Sequence, residues 1–244
     1  MRRLGRSNRR SSVGLCLTLA AATLITWTLC TDAASAGTAD KWRDTLHEID
    51  SLLRRGDYGA ASREAERFSN KSLGKLGTGD GARYALGLGC MFRAIAEMGL
   101  GNEAEALWYR AVAAAISPGI EGADLSPYGT TAAFLAGAAK AADTLRAEPS
   151  GTPLTGRVER PNCHRQIRPE YPGSLQLRGG GSVVVVQVLV SEDGSLSQPS
   201  LVSQGNGPAE EFAAFEVLPR WRCSPASQGG VPIKVFYSLT VTFR

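Results

Sequence analysis

Histidine is scarce in this 244-residue chain, which has two, His47 and His164. Cys163 and His164 are neighbours in sequence and form the candidate nucleophile–base pair. Neighbours on an extended segment point their side chains to opposite sides, so no dyad is expected there. His47 falls on a predicted helix elsewhere in the chain, where a surface or packing role is expected. The five cysteines are spread without the paired spacing of a zinc site, so no metal is expected. Gly179-Gly180-Gly181 is not followed by a helix and a Lys-Ser/Thr pair, which excludes a phosphate-binding loop. A charge excess is missing too. Lys and Arg total 27 against 23 Asp and Glu, a net charge of +4, and Arg2, Arg3, Arg6, Arg9 and Arg10 exceed that by themselves. The rest is near neutral and carries no nucleic-acid footprint. The acidic pair Glu210-Glu211 reads as the negative first turn of a helix, serving its dipole. With no catalytic constellation and no cofactor implied, the reading moves from an enzyme towards partner recognition.

What is present begins at the N-terminus. The basic residues precede an uncharged apolar stretch, Val13 to Cys30, and Ala34-Ser35-Ala36 follows as a small-x-small cleavage site. This is the layout of a secretory signal peptide over residues 1–36, cleaved after Ala36. The alternative is an uncleaved inner-membrane anchor over residues 13–30, since 18 residues just span a bilayer. Leu29 is too large for a lipoprotein motif at Cys30, and Ser11-Ser12 spoil a twin-arginine signal at Arg9-Arg10. Cleavage leaves Cys90, Cys163 and Cys223. Export permits a disulfide. Cys90 lies in a helical pattern, whereas Cys163 and Cys223 share the C-terminal module and are the expected pair; two small buried thiols are the alternative.

Residues 40–146 are alanine-rich and helical in period. Trp42, Leu46, Ile49, Leu52 and Leu53 form one stripe. Further helices are expected from Ala60 through Phe68, over about 82–98, over 103–116, and from Pro127 to Leu145 with Ser126 as N-cap. A Gly/Ser/Lys loop is expected over 69–81. The turns Gly56-Asp57-Tyr58 and Gly101-Asn102-Glu103 look alike, so a helical hairpin is repeated once. The arrangement resembles tetratricopeptide-type hairpins, with a plain helical bundle as the alternative. Residues 147–160 hold two prolines and two glycines without a period and read as a linker.

The C-terminal module spans 161–244. Val184, Val186, Val188 and Val190 share one strand face, which should pack on a helix. Asp193-Gly194 is a hairpin-type turn, a second strand runs over about 196–203, and Pro208 opens a helix with a Phe212, Phe215, Leu218 stripe. A last strand is expected from Ile233 to Phe243, with Ile233, Val235, Tyr237, Leu239, Val241 and Phe243 facing the core. In order, Pro169-x-Tyr171-Pro172, Asp193-Gly194, Ser203-x-Gly205, Trp221-x-Cys223-x-Pro225-Ala226 and Gly230-x-Pro232 resemble the TonB C-terminal domain family. Cys223 stands where the family usually has an aromatic residue, and Ser182 where it usually has glycine. The fold class is therefore α+β, an all-α hairpin region followed by a small α/β sandwich of the TonB C-terminal type.

The resemblance implies a periplasmic domain of a Gram-negative envelope. Its relatives often carry one cysteine near the Pro-x-Tyr-Pro and another near the tryptophan, which favours Cys163–Cys223. It also implies binding of an outer-membrane TonB-dependent receptor, or another envelope protein, by addition of a strand to the sheet. Independently, a strand edge offers unpaired N–H and C=O groups that an extended peptide satisfies. The candidate strand is Ile233, Lys234, Val235, Phe236, Tyr237, Ser238, Leu239 and Thr240, continuing to Phe243. A homodimer through this strand, or cover by the helical region, would occupy the same edge. A scaffold on peptidoglycan without transport is the alternative function. In TonB proteins a histidine of the membrane helix couples to the proton-motive force; residues 13–30 contain none, so a self-sufficient energy transducer is not expected.

Overall fold

The computed structural model describes residues 36–73, 78–147, 157–169 and 182–243. The expected leader up to residue 35, the alternative anchor at 13–30, the middle of the linker at 148–156, and the motif residues Tyr171 and Pro172 lie outside the described residues. Among the described residues no helix is long and apolar enough to cross a membrane.

Five helices come first: α1 (Ala36–Arg54), α2 (Tyr58–Ser72), α3 (Asp80–Gly99), α4 (Glu103–Ile116) and α5 (Gly129–Ala147). Each of α1, α2, α4 and α5 packs on α3. That is why α3 loses its polar face: Ala85, Leu86, Cys90, Met91, Phe92, Ala94, Ile95 and Ala96 are all buried. The two similar turns do similar work. Gly56 and Gly101 take left-handed φ values of +74° and +85° directly after α1 and α3, the glycine stop of a helix. Asp57 then caps α2, its carboxylate accepting from the Ala60 N–H at 3.1 Å. Asn102 behaves differently. Its amide donates back to Glu97 Oε2 at 2.7 Å, fastening the turn to α3. The turns also touch, because the Tyr58 ring fills the space where a side chain at Gly99 would stand.

Helix boundaries differ from expectation by up to four residues, and two of the differences have a visible cause. α2 does not stop at Phe68 but runs to Ser72, because Ser69 is buried and returns its hydroxyl to the Ala65 carbonyl at 3.0 Å. Ser126 does not cap α5. Residues Ser126–Tyr128 form a 3-10 turn instead, and α5 starts at Gly129 with φ +62°. Tyr128 draws this turn inward, donating to Asp50 Oδ1 at 2.6 Å and meeting Phe92 edge-on.

The C-terminal part contains β1 (Val158–Glu159), β2 (Asn162–Arg165), β3 (Ser182–Val190), β4 (Leu196–Ser203), α6 (Pro208–Val217), β5 (Arg222–Ser224), β6 (Ala226–Gln228), β7 (Val231–Ile233) and β8 (Val235–Phe243). With the helices before it, this makes an α+β layout. The main sheet is antiparallel in the order β4-β3-β8, and β2-β5 and β1-β6-β7 are small ribbons beside it. Val184, Val186, Val188 and Val190 are completely buried, and Phe212, Phe215 and Leu218 supply the helical side of that core. The core face of β3 pairs with β8 as Val184↔Val241, Val186↔Leu239, Val188↔Tyr237 and Val190↔Val235, all β-branched, leucine or tyrosine side chains suited to a pleated surface.

The last strand is shorter than the sequence pattern implied. Gly229 and Gly230 both take left-handed φ, +58° and +84°, and close a tight β6–β7 hairpin. That hairpin claims Ile233, which pairs with Ala226, and Lys234 is the step into β8. Burial along β8 also grades. Leu239, Val241 and Phe243 are buried, while Val235 and Tyr237, like Ile233 before them, are only half-buried.

Candidate functional site

The main sheet has two outer strands, and they are built differently. β4 carries Pro199, which has no N–H to offer, and Gln198 with a left-handed φ of +49°. Its register with β3 breaks twice, between Val185 and Val186 and between Gln187 and Leu189. Helix α4 lies alongside it, leaving a cavity of about 600 Å³ lined by Ala111, Ala114, Ala115 and Ser197 and Ser200 of β4. Proline, bulges and a covering helix are the devices that blunt a sheet edge. Among the described residues β8 has none of them. Its nine pairs with β3, from Ser182↔Phe243 to Val190↔Val235, run without a register shift. No other strand among the described residues pairs with it. In an antiparallel ladder alternate residues of an outer strand direct their backbone groups away from the neighbour. β8 is thus the regular edge of this sheet, and residues Val235 to Thr240 of the expected binding strand lie on it.

The helical region meets the C-terminal part on the far side from that edge. Arg83 of α3 grips the fully buried Glu211 of α6 through two bonds of 2.6 and 2.8 Å. That bond with Glu211 raises the guanidinium pKa further. Tyr109 of α4 donates to Glu216 Oε1 at 2.8 Å. Burial pushes the Glu216 carboxyl above the usual carboxylate range, opposed by the Tyr109 bond and the Arg93 charge. Arg93 lies over the Tyr109 ring at 4.0 Å and pairs with Glu105 at 3.2 Å. Burial likewise raises the Cys90 thiol, which stays protonated and unreactive.

Glu210 and Glu211 therefore do more than serve a helix dipole. Both are completely buried. Glu210 accepts from the Ser182 hydroxyl and from the Asn206 N–H at 2.9 Å, tying the start of α6 to the start of β3. Their inward course was not readable from the sequence, nor were the roles of Arg83, Tyr109 and Glu216. A lone arginine or tyrosine on a helix gives no sign of the partner that a distant segment brings to it.

The remaining motif residues gather around the ribbon. Cys163 and Cys223 form a disulfide and are direct partners in the β2–β5 ladder. Trp221 is buried and donates its indole N–H to the Ile167 carbonyl at 2.9 Å. Gly194, with φ +82°, lies so close to the Cys223 carbonyl that no side chain fits, which seats the β3–β4 turn on the ribbon. Asp193 shapes that turn by accepting from the Ser195 hydroxyl and N–H at 2.6 and 2.9 Å, and these bonds hold its carboxyl below the ordinary range. Pro225 is the half-buried link between β5 and β6. Pro169 joins Gln166, Ile167, Arg168 and Trp221 around a cavity of about 180 Å³ whose other wall is Thr240, Val241 and Thr242. The segments that flank the ribbon, Gln166–Pro169 and Trp221, thus adjoin the end of β8.

Residues 167–244 match the family model described as Gram-negative bacterial TonB protein C-terminal. The segment similar to that domain holds β3 through β8, with β1, β2 and Cys163 just before it. Neither a curated protein nor a solved structure matches the chain.

Proposed function

We propose that this protein is a periplasmic adaptor of the TonB type, which takes an extended segment of an outer-membrane receptor, or of another envelope protein, as an added strand on β8. The observation that carries this reading is the contrast between the two edges. β4 is interrupted by Pro199 and flanked by α4, whereas β8 is an unbroken nine-residue ladder without proline. An added strand gains main-chain hydrogen bonds along that ladder, and its alternate side chains meet the two faces of the sheet. Phe236, Ser238, Thr240 and Thr242 line one face of β8, and Tyr237 and Leu239 the other.

The helical hairpins fit the same reading. They pack on α6 and β4, so a second partner is able to dock on them without competing for β8. The leader sends the chain across the inner membrane and is removed after Ala36. Residues 13–30 lack the histidine of a proton-coupled motor, so the adaptor receives or relays a partner without driving transport by itself. Isothermal titration of the full mature chain with a receptor TonB-box peptide tests this. Saturable one-to-one binding is expected, and an absence of binding at millimolar peptide would refute it.

A further inference from the structure

We propose that the disulfide-linked β2–β5 ribbon is an anion-recognition surface, and that the strand taken up by β8 carries acidic residues at the end lying beside Thr240–Thr242. This rests on strand addition at β8.

The first observation is a like-charge pair. Arg165 and Arg222 are direct partners across the ribbon, and His164 sits in the bulge between the Cys163↔Cys223 and Arg165↔Arg222 pairs. All three side chains are exposed. Like charges directly opposed on a ladder destabilise it. The disulfide one pair away fixes the register, so slippage cannot separate them. A bulge at this point aims an extra side chain off the ladder. Among the described residues no acidic side chain compensates them. Neither 160–169 nor 219–228 contains an acidic residue. Arg222 donates to the Trp221 carbonyl at 3.4 Å, and no carboxylate among the described residues pairs with Arg165, Arg168 or Arg222.

The second observation is position. Arg168 lines the cavity whose other wall is Thr240–Thr242, and the Trp221–Ile167 bond fastens that segment next to Arg222. A strand laid on β8 passes this cavity, which Arg168 lines and which Trp221, the residue before Arg222, also borders. Carboxylates at that end complete guanidinium pairs that no described carboxylate makes, and charge complementarity then fixes the direction in which the strand is added.

The test uses the full mature, oxidised chain and three eight-residue extended peptides with one apolar-polar alternating core. One has two glutamates at its N-terminal end, one has them at its C-terminal end, and one has glutamines instead. Amide shifts of β8 report strand addition, and titration at two salt concentrations reports affinity. One glutamate peptide should bind about tenfold more tightly than the glutamine peptide, with the advantage shrinking at high salt. The advantage should vanish in Arg165→Gln/Arg222→Gln and largely survive in Arg165→Lys. Relief of repulsion should leave the double variant at least as stable to heat as the parent; Arg168→Gln alone provides the same comparison should the double variant misfold. Equal binding of all three peptides with β8 shifts would leave strand addition standing and overturn the acidic preference. An advantage that persists undiminished in the variants would overturn it too. Absence of β8 shifts with every peptide would defeat strand addition and this inference together. Vesicles containing phosphatidylglycerol that broaden the ribbon resonances, with no gain from glutamate, would make the ribbon a lipid-facing surface instead.

Discussion

Replacing Gly194 by alanine should cost more than a turn glycine ordinarily does, and the structure separates the two reasons. Its φ of +82° lies in the left-handed region, where an L-residue pays about 1–2 kcal/mol. The space beside it is taken by the Cys223 carbonyl oxygen, a backbone atom held by the β2–β5 ladder and the disulfide. Forcing a methyl group against fixed backbone costs roughly a further 1–3 kcal/mol by analogy with overpacked cores. The sum is about 2–5 kcal/mol, a large part of a small domain's stability. Gly101→Ala is the control. Gly101 has φ +85°, but nothing lies within 4 Å of its missing side chain, so the conformational cost alone should appear there. Urea unfolding of both variants with the disulfide intact gives the comparison. A Gly194→Ala effect no larger than that of Gly101→Ala would refute the claim that the β3–β4 turn is seated on the ribbon.

Other consequences follow from the same contacts. Arg83→Met strands the buried Glu211 carboxylate and should cost about 3–5 kcal/mol in chemical denaturation, while adding Glu211→Leu should restore most of the loss. Reducing Cys163–Cys223 opens a 60-residue loop, which should lower stability by about 4 kcal/mol on the chain-entropy model, seen as a lower urea midpoint in dithiothreitol. The Glu216 carboxyl is raised in the folded state, so its contribution is fully present below the unfolded carboxylate value, about pH 4.3, and is lost as pH rises through the folded value. The parent should therefore lose stability relative to Glu216→Gln between that pH and neutrality. A difference that stays flat, or a parent that gains stability on the variant as pH rises, would contradict the burial of Glu216 beside Tyr109 and Arg93.

Much of the α+β arrangement was legible in the sequence because its elements are strongly periodic. The four alternating valines at 184–190 needed a helix above them, and the Phe212, Phe215, Leu218 stripe supplied one. The look-alike turns at Gly56 and Gly101 marked the helical hairpins through their glycine stops. The last strand was read two residues too long because Ile233 continues its alternation. The interruption comes from the Gly229-Gly230 hairpin, a local backbone choice that alternation does not record. Long-range facts were out of reach for a similar reason. Nothing in the local pattern of α3 or α4 says that Arg83 and Tyr109 will meet Glu211 and Glu216 more than a hundred positions later. The arginine pair at 165 and 222 becomes visible only once the disulfide sets the two strands opposite each other. The last strand was legible as a strand, but the contrast between β8 and the α4-flanked β4 was not, because that depends on where the helices dock.

Amide resonances of residues 235–243 in the full mature chain, followed while a receptor TonB-box peptide is added, test the central claim most directly. Strand addition requires progressive shifts and slowed hydrogen exchange along β8, with β4 little changed. Shifts confined to the helical region or to β4, or none at all at saturating peptide, would contradict it.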